Sequence, residues 1–93
     1  MFAIGDKRWP GVSKLVEELG ELQQVCGKLM GSRGSTKHWS GDLYRMIHEE
    51  AGDVMAALGF LIKVGVLDGG LISTRMEEKL QVFLRWHRED PEQ

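Results

Sequence analysis

Two pairs of acids, Glu18 with Glu21 and Glu50 with Asp53, repeat one spacing, three residues apart. On a helix that spacing puts both carboxylates on one side, a turn apart. Two such faces turned toward each other make a set of oxygen donors suited to a hard divalent cation, magnesium above all. Without a cation the arrangement is costly. An ionised carboxylate taken out of water without a partner costs several kcal/mol and tends to neutralise instead, and like charges nearby make that worse. Two magnesium ions would offset about four negative charges, which matches the four acids. A metal held there lowers the pKa of bound water, polarises phosphoryl oxygens and orients attack.

Three helices are expected to carry these side chains. The first spans about Val12 to Met30, capped near Ser13. Its stripe of Leu15, Leu19, Leu22, Cys26 and Leu29 steps by four, three, four and three. The second spans about Gly41 or Asp42 to Val64, with Ser40 or Asp42 as cap. Its stripe is Leu43, Met46, Ile47, Val54, Ala57, Leu58 and Leu61. The third covers roughly Leu71 to Arg88, with Ile72, Met76, Leu80 and Phe83 in line and His87 at the far end. At about 100° per residue, Glu50 points with Leu43, Val54, Ala57 and Leu61, in the middle of the apolar stripe, and Asp53 lies about 80° off its centre. Glu18 projects between Val25 and Leu29. Glu21 lies beyond Val25 and should be the least buried of the four. Gly31–Gly41, rich in Gly and Ser, reads as a loop, and Asp68-Gly-Gly70 as a second break.

The bulk composition agrees with one small all-α domain over residues 1–93. A chain of this length buries a modest core, so association that hides more apolar surface is expected. The net charge of −2 argues against a nucleic-acid backbone as partner, which calls for a basic face. The single Cys26 excludes an internal disulfide framework. The longest apolar run, around Val54–Leu67, is broken by Gly59, Lys63 and Gly65, too soon for a membrane span. The N-terminus carries charge early and lacks a hydrophobic signal core, so a soluble cytoplasmic domain is expected.

The string Glu17-Glu18-Leu19-Gly20-Glu21 reads EExxE, and Glu50-Ala51-Gly52-Asp53 reads ExxD. Two such motifs on successive helices, with apolar neighbours and a third helix after them, resemble the MazG-like nucleotide pyrophosphohydrolases of the all-α NTP pyrophosphatase superfamily. The resemblance runs from about Trp9 to Trp86. It implies a magnesium-dependent enzyme, with manganese as the alternative ion, that converts a nucleoside triphosphate to the monophosphate and pyrophosphate in nucleotide-pool housecleaning. Carried over residue by residue, Glu18, Glu21, Glu50 and Asp53 would be the metal ligands and catalytic groups, with Glu17 outside the ligand set. It also implies dimers, or dimers of dimers, built around a four-helix core. The helical bundle of about three main helices per chain would then be completed by oligomerisation. No Ser-His-Asp set and no second cysteine suggests covalent catalysis, so water is the expected nucleophile.

A triphosphate needs further positive charge. Lys28 shares the face of Glu21 two turns on, and Arg75 and Lys79 form an i, i+4 pair on the third helix, where relatives often contact phosphate. A base needs a flat apolar wall. Trp9 resembles a tryptophan found before the first helix in some relatives, and His38 and Trp39 lie in the loop that would fold over a nucleotide. Each of these also has a plainer reading, as a solvated cation or a packing ring. A phosphoribosyl-ATP pyrophosphatase shares the two-motif logic and is the nearest rival. A di-iron bundle needs Glu-x-x-His, which none of His38, His48 and His87 supplies. A non-catalytic helical dimerisation module is the rival from another class.

Overall fold

The computed structural model describes residues 9–90; the N-terminal run read above for its lack of a signal core lies outside them. Three long helices follow in order: α1 (Val12–Gly31), α2 (Leu43–Lys63) and α3 (Gly69–Glu89). Among the described residues, strand is confined to a ribbon of two two-residue strands, β1 (Lys37–His38) and β2 (Gly41–Asp42), with Lys37 opposite Asp42 and His38 opposite Gly41. The chain is all-α, as its apolar periods predict. The ribbon corrects the expectation of a plain loop over 31–41. Two-residue strands are too short to show an alternation, so no periodic signal could reveal them.

The helix ends explain the boundaries. Gly11, not Ser13, caps α1, in a left-handed conformation with φ 93° and no side-chain cap. The cap of α2 is Asp42, whose Oδ1 accepts from the Tyr44 amide at 3.0 Å. At its other end Gly65, with φ 83°, closes a Schellman turn: its amide donates to Ile62 O at 3.1 Å and that of Val66 to Leu61 O at 2.9 Å. Asp68 then caps α3 through Leu71 N at 3.0 Å. Gly69 and Gly70 therefore lie inside the first turn of α3 instead of forming a break.

Gly11 sits against Phe60 and Leu61, so the start of α1 meets the end of α2 and the two helices run antiparallel. Their seam holds Val25 of α1 and Leu43, Val54, Ala57 and Leu61 of α2, all buried, with Leu43 and Leu61 wholly enclosed. On α2 this is the expected stripe. On α1 it is not: contact centres on the line through Glu18 and Val25, and Leu19 remains 47% exposed. The apolar stripe of α1 is wider than the surface α2 covers.

The third helix stands apart. None of its residues is buried, and Met76, Leu80 and Phe83 of its predicted stripe are exposed. The radius of gyration is 16.1 Å, against about 12 Å expected for a compact domain of this length.

Candidate metal centre

Antiparallel pairing of α1 and α2 sets the two acidic pairs level with each other. One carboxylate oxygen from each of Glu18, Glu21, Glu50 and Asp53 lies within 4.8 Å of those of the other three. Glu18 is the buried member, only 8% exposed, while Glu21 and Glu50 are half-buried and Asp53 is exposed. The order expected from the helical wheels is thus corrected at its buried end. Glu18 lies deeper than Glu50 because the α1 seam runs through it.

Two atoms make this more than an acidic patch. Oε2 of Glu18 and Oε2 of Glu50 are buried and have no hydrogen-bond partner. Native proteins rarely leave a buried charged oxygen unsatisfied, since its lost hydration has nothing to replace it. The other oxygen of Glu18 lies 3.4 Å from Nζ of Lys14, which also holds Oε1 of Glu17 at 3.2 Å. The crowding is visible in the titration of Glu21. Its carboxyl is pushed above the ordinary glutamate range, first by a proton it can share with Glu50, then by burial and by Glu50's negative charge. With all four ionised, no member has a proton to give its neighbours. An all-oxygen donor set of this kind could hold a hard divalent cation; softer ions prefer nitrogen or sulfur.

The basic residues singled out in the sequence are engaged elsewhere. Lys28 donates to Oγ of Ser40 at 3.3 Å, tying the end of α1 to the ribbon. Arg75 pairs with Glu78 at 3.0 Å on exposed α3, and Nζ of Lys79 sits 5.2 Å from the Phe83 ring centre and 6.0 Å from that of Trp86. None of the contacts these three make is with the four acids. Of the rings, Trp9 is exposed just before α1. His38 accepts at Nδ1 from the Ser40 amide at 3.1 Å, and its ring lies 5.3 Å from that of Trp39. Trp39 is 91% exposed at the turn of the ribbon. The ribbon thus presents both rings together on an anchored support.

Beside the carboxylates lies a cavity of about 310 Å³, at the small end of ligand pockets. Gly11, Lys14, Ala57 and Phe60 line it, and Glu18 and Asp53 are shared between it and the acidic cluster. Lys14 was missed by the sequence reading, although its i, i+4 relation to Glu18 was legible. Among the described residues no helix is long and apolar enough to cross a membrane. Compared with known protein families, with curated proteins and with solved structures, the chain finds no match, and the carboxylate geometry alone carries the functional reading.

Proposed function

We propose that this chain is a metal-dependent nucleoside triphosphate pyrophosphohydrolase of the MazG-like kind. The observation that carries the reading is the pair of orphaned, buried oxygens of Glu18 and Glu50 within a four-carboxylate cluster. Glu18, Glu21, Glu50 and Asp53 would hold magnesium, with manganese as a substitute. The ion supplies electrophilic stabilisation of a phosphoryl group and an acidified water. The chain's own part is to fix four donors on two rigid helices, so that little reorganisation is needed when substrate arrives. In the proposed reaction the oxygen of water bonds to the α-phosphorus. The bond to the α–β bridging oxygen breaks, pyrophosphate leaves, and the water's proton passes to a basic oxygen of the site.

The test is a panel of NTPs and dNTPs with magnesium, scoring pyrophosphate against orthophosphate. Pyrophosphate with the matching monophosphate is the expected result. Orthophosphate alone, or no hydrolysis of any member, overturns the reading and leaves the helical module in its place.

Self-association completes the proposal. On a helical wheel, Leu19 and Met30 of α1 and Met55 and Ile62 of α2 fall on the same side of the antiparallel pair, opposite Lys14, Glu21 and Asp53. All four are exposed, Met30 by 80%. An exposed apolar face of this kind supports association there, and a second copy packed on it would give a four-helix core while leaving the acids open. Sedimentation equilibrium should return a multiple of the 10.5 kDa chain mass; a monomer across micromolar concentrations would refute this arrangement.

A further inference from the structure

We infer that Lys14 is the phosphate-binding cation of this centre, a role that rests on the metal-dependent reading above. Glu18 has two sides. Its Oε2 is buried and unpartnered, whereas its Oε1 faces Nζ of Lys14 at 3.4 Å. Lys14 and Glu18 both line the cavity that Asp53 borders as well. The ammonium group therefore stands at the border between the carboxylate cluster and this open cavity.

The electrostatics change when the centre fills. Before then Lys14 is shared between Glu17 and Glu18 and is neutralised by them. A divalent ion drawing on Glu18 takes over that carboxylate's charge. Lys14 is left with a single exposed partner, Glu17, whose hold on it is weak in water. An ammonium on a flexible four-carbon stem then finds its best partner in an anion seated next to the metal. A phosphate oxygen of a polyphosphate held by such a divalent ion would supply that charge. Lys28, Arg75 and Lys79 are held by Ser40, by Glu78 and by the rings of α3. Of the four cations, Lys14 is the one in contact with the carboxylate cluster.

The experiment compares the parent, Lys14→Met and Lys14→Arg by calorimetry. The two probes are magnesium alone and magnesium with a deoxynucleoside triphosphate whose α–β bridge is methylene. Methionine keeps the length and apolar stem, so the helix is retained. Lys14→Met should weaken binding of the analogue with magnesium by about tenfold to a hundredfold, as expected for loss of a charged hydrogen bond. Its affinity for magnesium alone should stay equal or rise, because a competing cation is gone from Glu18. Arginine should restore most of the analogue affinity. Unchanged analogue binding in Lys14→Met overturns the assignment. An equal loss for magnesium alone does so too, since Lys14 would then act only through the metal ligands. A parent that binds neither probe removes the metal-dependent reading itself, a separate result.

Discussion

Glu50→Gln should abolish pyrophosphate release, lowering kcat by about a thousandfold or more, while the helices stay intact. The size follows from the several kcal/mol that a positioned metal contributes to a phosphoryl transition state, with each 1.36 kcal/mol worth about a factor of ten. Glutamine keeps the shape of the side chain but removes the charge that holds the ion. The same substitution should leave the metal-free protein at least as stable as the parent, because it relieves repulsion within a cluster whose donor oxygens lie within 4.8 Å of one another. That combination separates a site from a scaffold. A purely structural acid would lose stability along with activity, or lose neither.

The pH dependence supplies a second readout on the same variant. The Glu21 carboxyl is raised, with Glu50 as the first cause. The folded state therefore binds this proton more tightly than the unfolded chain does. Such a group stabilises fully below the ordinary glutamate value of 4.5, and its contribution is lost as the pH rises through the higher folded-state value. Metal-free parent protein should melt higher as the pH falls from neutral toward 5, and Glu50→Gln should lack that gain. Lys14 is also raised, chiefly by hydrogen bonding to Glu17, but from 10.5, so it contributes nothing to this window. With saturating magnesium the parent should instead be stabilised near neutral pH, by about 2.7 kcal/mol at a hundred times Kd. Hydrolysis at parental rate by Glu50→Gln, or melting of both proteins unaffected by magnesium, would sink the metal centre.

Gly11→Ala should be among the most destabilising single changes in the chain. A Cβ there would lie 2.8 Å from Cε2 of Phe60 and 2.9 Å from Cδ2 of Leu61, at a backbone φ of 93°. The left-handed backbone alone costs a non-glycine residue about 1–2 kcal/mol. Forcing a methyl group into a filled contact adds about 1–3 kcal/mol. A combined loss of roughly 2–4 kcal/mol lowers Tm by about 10 °C or more in a chain of this size. Gly27→Ala is the control. Its Cβ would meet nothing within 4 Å, and it lies inside α1. There alanine should raise stability by roughly 0.5–1 kcal/mol through helix propensity. Thermal melts of the two variants decide it: equal effects would refute the close approach of α1 to α2 at Gly11.

The helices were legible because their signals are local. Leu43, Val54, Ala57 and Leu61 repeat at helical spacing, and that repeat alone places α2 and its buried face. The i, i+3 spacing likewise set Glu18 beside Glu21 and Glu50 beside Asp53, whatever the rest of the chain does. Other features hang on where one element meets another. Whether Glu18 or Glu50 lies deeper depends on how α1 is rolled against α2, and the wide apolar stripe of α1 permits more than one roll. The β1–β2 ribbon had no period to reveal it. The stripe of α3 is correctly periodic yet unburied, because period reports which face is apolar and never what covers it.

By itself, then, the order of residues determined three helices, their apolar faces and two acidic pairs, since each arises from contacts within a few residues along one strand of chain. Only the tertiary structure brought the pairs within 4.8 Å of each other, stranded two carboxylate oxygens out of water and set Lys14 in the lining of the neighbouring cavity. Those outcomes depend on the antiparallel approach of α1 and α2, and burial and charge proximity are properties of a pair of surfaces that neither helix carries alone.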